Sequence, residues 1–156
     1  MDKDFVKGCT DFIVEEAKAL LAVDSPTGYT AQAAEHVAER FRALGYEPVM
    51  TVKGGVLVKL AEGTDPKAGG LMLEAHTDTL GGMVSSIKGN GRLEITRLGG
   101  MNPNNAEAEN VRVITKFDGI LEGTCQLVNA SIHVNGKYND TKREWSAMEI
   151  VLDEDV

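Results

Sequence analysis

His76 and Asp78 stand two residues apart in the run Leu71-Met72-Leu73-Glu74-Ala75-His76-Thr77-Asp78-Thr79-Leu80-Gly81. A neutral imidazole is a good ligand for a borderline cation such as zinc. A carboxylate two positions on can accept a hydrogen bond from the other ring nitrogen, which fixes the tautomer and raises the ligand's basicity. One job can be written for each: His76 binds a metal and Asp78 orients it. The bare His-x-Asp pattern is unspecific in a chain with three histidines, so its surroundings decide how it is read.

The other reactive residues have plainer readings. Glu74 and Asp78 bracket His76. Glycoside hydrolysis would need two such carboxylates to converge across a cleft, and spacing does not show that they do. His36 falls on the polar side of a helical pattern, which predicts exposure. His133 alternates with Ile132 and Val134, which places it on the outer side of an edge strand. Ser25 has no G-x-S-x-G elbow around it. Gly89-x-Gly91 joins two strand-like runs and opens no helix, so it is no phosphate-binding loop. Cys9 and Cys125 lack metal-type spacing and make no disulfide framework. Cys9 sits on the apolar side of a helix and reads as a small core residue.

Stepping out from His76, the chain offers two kinds of element. Phe5, Val6, Cys9, Phe12, Ile13, Ala17, Leu20 and Leu21 recur at helical spacing, which predicts an amphipathic first helix. It ends at the turn-forming Asp24-Ser25-Pro26-Thr27-Gly28. Thr30 is placed to cap a second helix, with Ala34, Val37, Ala38, Phe41 and Leu44 as its buried stripe. Gly45 suits a left-handed C-terminal cap. Residues 47–53 and 56–60 read as a hairpin about Gly54-Gly55, and a polar loop over 61–70 leads into 70–75. That last run is short and apolar and reads as a buried strand, with His76 and Asp78 at its C-terminal end, where open α/β sheets place ligands. Beyond Gly81-Gly82, residues 83–88, 92–96, 111–117, 120–127 and 131–134 read as strands, with turns at Gly89-Asn90-Gly91, Gly99-Gly100 and Asp118-Gly119. The predicted architecture is an α/β part over 1–81 and a β-rich, barrel-like part over 82–156 with no helix.

Composition sets bounds on partners. A formal charge of −8 with scattered Lys and Arg excludes a nucleic-acid footprint. Hydrophobic content of 42% is enough for a packed core, built mainly from aliphatic residues because aromatics are few. No run approaches the ~20 apolar residues of a membrane span, and the N-terminus lacks the basic start and apolar run of a signal peptide. Cytoplasm is the expected location, which makes Asn129-Ala130-Ser131 a chance sequon. Asp153-Glu154-Asp155 reads as a solvated end.

The run Ala75-His76-Thr77-Asp78-Thr79-Leu80-Gly81-Gly82-Met83-Val84, continued by Ile87, Gly89, Gly91-Arg92-Leu93 and Leu98-Gly99-Gly100, resembles the glutamyl/deblocking aminopeptidase family, the tetrahedral-assembly exopeptidases. Ser25-Pro26-Thr27-Gly28-Tyr29 stands where that family has a Ser-Gly-bearing loop, and Gly54-Gly55-Val56-Leu57-Val58 where it has Gly-Asn-Leu. The resemblance is specific through 75–100 and diffuse elsewhere. It implies an α/β catalytic domain with an inserted β-rich domain that drives dimerisation and larger assembly. It also implies a site holding two divalent metals, zinc or cobalt, and peptides as substrates. In the family the histidine matching His76 is a metal ligand and the aspartate matching Asp78 supports it. The metals polarise the scissile carbonyl and activate water, and a glutamate moves the proton. Two departures stand out: Thr79 and Thr30 occupy positions where the family has glutamate. The residues that complete the family's site come after its β-rich insert and have no match among these 156, so the chain by itself is expected to be inactive. Some relatives carry an endoglucanase label. The competing expectation is a non-catalytic β-rich oligomerisation module in which the His-x-Asp is vestigial.

Overall fold

A computed structural model describes residues 2–61 and 69–154. Most of the loop expected over 61–70, and Asp155 of the acidic end, lie outside the described residues. The chain divides into two compact units, Met1–Thr79 and Leu80–Val156. No described helix is long and apolar enough to cross a membrane.

In the first unit, helix α1 spans Lys3–Leu21 and helix α2 spans Ala31–Ala43. Asp2 caps α1, its carboxylate accepting from the Asp4 N–H at 3.1 Å and satisfying one of the donors a helix start leaves open. The amphipathic pattern forms the helix, but no residue of α1 is buried: Phe5 is 65% and Ile13 63% exposed. Cys9 is exposed too, against its expected core position. Periodicity marks a face suited to burial and does not supply the surface that covers it. Arg40 on α2 grips the Glu16 carboxylate of α1 with both Nε, at 2.8 Å, and Nη2.

Thr30 occupies the N-cap position of α2 but makes no capping hydrogen bond. Its φ of −106° and ψ of −1° lie outside the extended region from which a cap oxygen reaches into the first turn. The buried residues of α2 are Ala33, Ala34 and Ala38, while Leu44 is 55% exposed. Gly45 does close the helix. At φ +88° it lets its own N–H bond the Arg42 carbonyl at 2.9 Å and the Tyr46 N–H bond the Phe41 carbonyl at 3.0 Å. This is a Schellman cap, and its expected apolar contact is the edge-on packing of Phe41 against Tyr46, centroids 6.1 Å apart. Strands β1 (Val49–Met50) and β2 (Val56–Leu57) then form the hairpin about Gly54-Gly55, shorter than expected.

Residues 71–75 are a correction. They pair with no strand among the described residues, and Leu71, Met72 and Leu73 are 88%, 75% and 75% exposed. A buried strand is defined by the neighbours that take its backbone hydrogen bonds, and an apolar run alone does not provide them.

The second unit is a five-stranded antiparallel sheet of β3 (Gly81–Ile87), β4 (Leu93–Leu98), β5 (Asn110–Ile114), β6 (Ile120–Leu127) and β7 (Met148–Leu152), in the order β3-β4-β7-β6-β5. Of the three predicted turns, Gly89-Asn90-Gly91 and Asp118-Gly119 close hairpins, β3 with β4 and β5 with β6. The Lys88 N–H bonds the Arg92 carbonyl at 2.8 Å across Gly89-Asn90-Gly91, and the Thr115 N–H bonds the Gly119 carbonyl at 2.8 Å across Asp118-Gly119. The core gathers Leu93, Cys125, Leu127, Met148 and Ile150, with Ala106 from the one-turn helix α3 (Pro103–Ala106). That turn, and two 3-10 turns at Tyr138–Asp140 and Trp145–Ala147, are helical pieces the sequence did not announce. Residues 131–134 form a turn, not a strand: the Val134 and Asn135 N–H groups both bond the Ser131 carbonyl. The last strand, β7, was not foreseen, yet it lies in the middle of the sheet. Among the described residues β3 and β5 end the sheet without pairing to each other, so no barrel closure is seen.

Candidate metal centre

Two segments of the first unit build the site. The Pro26 carbonyl accepts the Tyr29 N–H at 2.7 Å, closing a turn with Gly28 at φ +92°. A positive φ at the third residue is what a type II turn requires. The segment is docked on residues 78–79: the Thr79 N–H bonds the Ser25 carbonyl at 2.7 Å, and Pro26 and Thr79 form a parallel bridge. Ser25 is 1% exposed, and its hydroxyl has no hydrogen-bond partner among the described residues. Thr79 acts here through its backbone, a role indifferent to whether its side chain is threonine or glutamate.

Residues 76–78 carry the chemistry. His76 Nδ1 lies 3.0 Å from Asp78 Oδ1 and 3.1 Å from the Asp78 backbone oxygen. The other carboxylate oxygen, Oδ2, accepts the Thr27 hydroxyl at 2.7 Å. That hydrogen bond is the main force holding the Asp78 carboxyl below its usual range, with a smaller contribution from His76 and opposition from desolvation. Asp78 is therefore ionised at neutral pH. Because both neighbours of Nδ1 are acceptors, the network assigns the ring proton to Nδ1. The lone pair on Nε2 is left free on a side chain that is 85% exposed.

A neutral imidazole with a free Nε2 fits one coordination position of a divalent ion. Both oxygens of Asp78 are engaged, Oδ1 with His76 and Oδ2 with Thr27, which suits a supporting position beside the ring. Glu74, the other carboxylate of the run, is exposed. Among the described residues no group of three or more His, Cys, Asp and Glu could hold a metal, so His76 stands as a lone candidate donor. The sequence pair meets in space, as its spacing suggested. Its platform differs, because the expected buried strand before it is an exposed, unpaired segment. Sequence reasoning missed Thr27, for which the turn residues around it were the only signal.

The other two histidines lie outside this arrangement. His36, expected to be exposed, is half-buried, and its Nε2 is buried without a partner among the described residues. His133 is exposed as expected, but in a turn and not on a strand.

A family model described as M42 glutamyl aminopeptidase matches residues 54–156. The chain is 36% identical over 143 residues to "Putative aminopeptidase YhfE" of Bacillus subtilis (strain 168), a match covering 92% of this chain and 41% of that protein. It is 34% identical over 91 residues to the glutamyl aminopeptidase of Lactococcus lactis subsp. cremoris (strain MG1363), covering 58% of this chain and 25% of that one. The chain thus spans less than half the length of these relatives. Among solved structures, the TET aminopeptidase from the marine sediment archaeon Thaumarchaeota archaeon SCGC AB-539-E09 aligns with a TM-score of 0.74 at 24% identity, over 92% of this chain and 39% of that one. At that identity the likeness is one of fold.

Proposed function

Because this chain belongs to the M42 glutamyl aminopeptidase family, we propose that it forms part of a metal-dependent aminopeptidase that removes N-terminal residues from peptides, with His76 as a metal donor and Asp78 as the residue that orients it. The observation that carries the reading is the pairing of His76 Nδ1 with Asp78 Oδ1 at 3.0 Å, which leaves Nε2 as the open donor. When bound, divalent metal, zinc or cobalt in this reading and two per complete site, supplies a polarised carbonyl and an activated water. His76 contributes one lone pair. Asp78 keeps the proton on Nδ1 and offsets the positive charge that the ring gains as a ligand.

Self-association is part of the same reading. Strands β3 and β5 are both sheet edges, and Met83 and Ile87 on β3 are 56% and 73% exposed. Such an edge favours pairing with another copy.

That His76 stands without further ligands among the described residues also suits a second reading, in which the chain is a non-catalytic oligomerisation module. Zinc titration of the 156-residue protein by calorimetry, with His76→Ala beside it, separates the two. Weak one-site binding lost in the variant supports the metal reading. Equal heats from both proteins, with circular dichroism showing both folded, would leave only the module. Leucine and glutamate anilides should show no turnover by this chain, and steady hydrolysis would refute the single-donor site.

A further inference from the structure

We propose that Thr27 is a positioning residue for His76: its hydroxyl fixes the Asp78 carboxylate in the orientation that holds the imidazole with Nε2 outward. The inference rests on the metal reading above and assigns to it a residue from a separate stretch of chain.

Asp78 is 40% exposed at its side chain, and a carboxylate turns readily about its last torsion, whose preferences are broad. Left to water, it would share its time among several orientations. Two features prevent this. The 2.7 Å contact from Thr27 Oγ1 to Oδ2 is a charge-assisted hydrogen bond of ordinary length, stronger than a neutral one. The donor is itself held: Thr27 is β-branched and restricted at χ1, and its turn is fixed by the Tyr29-to-Pro26 and Thr79-to-Ser25 backbone bonds, both 2.7 Å. With Oδ2 anchored, Oδ1 stays 3.0 Å from Nδ1. The chain of contacts runs from hydroxyl to carboxylate to imidazole, and each link has one direction of donation.

The alternative is that Thr27 only ties two segments together. Backbone bonds already do that, and Thr27 is exposed, so Thr27→Val should leave the fold intact. The two roles differ in the tautomer of His76, which nitrogen-15 shifts of the ring report without metal or turnover, at a pH where the ring is neutral. The wild-type chain should be mainly the Nδ1–H form. Thr27→Val should move the ratio several-fold toward Nε2–H and weaken zinc binding about 10-fold. Thr27→Ser, which keeps the hydroxyl, should restore both. Asp78→Ala is the reference. If it shifts the tautomer and Thr27→Val does not, Thr27 has no positioning role and the role of Asp78 stands. If neither shifts it, the role of Asp78 falls and that of Thr27 with it. A shift in Thr27→Val that Thr27→Ser fails to reverse would mark a loss of packing and overturn the inference.

Discussion

His76 Nδ1 faces two acceptors on the same residue, the Asp78 carboxylate at 3.0 Å and the Asp78 carbonyl at 3.1 Å. Asp78→Ala removes the first and leaves the second, so the tautomer is weakened but not abolished. The expected outcome is a zinc affinity lowered about 10- to 100-fold, short of the complete loss in His76→Ala. Calorimetric titration checks this, and an unchanged affinity in Asp78→Ala would count against the orienting role.

Glu149 gives an asymmetric test. Its side chain is 1% exposed, with Lys88 Nζ at 3.0 Å and Arg92 Nη1 on its other oxygen, while the cations are 24% and 37% exposed. Removing both cations by Lys88→Ala with Arg92→Ala strands a buried carboxylate and should cost about 3–5 kcal/mol. Glu149→Met should cost only about 1–2 kcal/mol. The two cations can then turn to water, and Lys88 keeps Glu94 at 3.8 Å. Urea midpoints of the two variants should rank in that order.

Glu107 should make stability depend on acid pH. Arg143 bonds it through Nε at 2.7 Å and Nη2 at 3.1 Å, and the Tyr138 hydroxyl donates at 2.9 Å. The Arg143 hydrogen bond is the largest cause of its lowered pKa, with Tyr138 adding to it and desolvation opposing. A depressed acid binds protons more weakly folded than unfolded. Its contribution is therefore full above the unfolded value of about 4.3 and is lost as pH falls through the folded one. In Glu107→Gln the midpoint should change less between about pH 6 and pH 3, with a loss of about 1–3 kcal/mol at neutral pH. Parallel wild-type and variant curves would contradict the assignment.

Gly123 lies where β6 passes β7. A Cβ there would sit 2.5 Å from the Val151 carbonyl oxygen and 3.2 Å from Ile150 Cγ2. Backbone cannot step aside as a side-chain tip can, so Gly123→Ala should destabilise by about 1–3 kcal/mol. Thermal unfolding measures it, and an unchanged midpoint would mean that β7 does not pack there.

The sequence determined what a few neighbouring residues can encode. The helical spacing of Phe5, Phe12 and Ile13 made α1. Gly45 closed α2, Asn90-Gly91 and Asp118-Gly119 turned the hairpins, and the two-residue step from His76 to Asp78 allowed their hydrogen bond. These follow from local sterics and periodicity, which do not depend on the rest of the molecule. Tertiary structure decided everything that needs a partner from afar. It placed the unforeseen β7 between β4 and β6, buried Glu149 beneath two cations, left Leu71–Leu73 exposed and, among the described residues, unpaired, and brought Thr27 to Asp78. Burial and strand pairing belong to pairs of distant segments, and the property that selects the partner is not written in either segment alone.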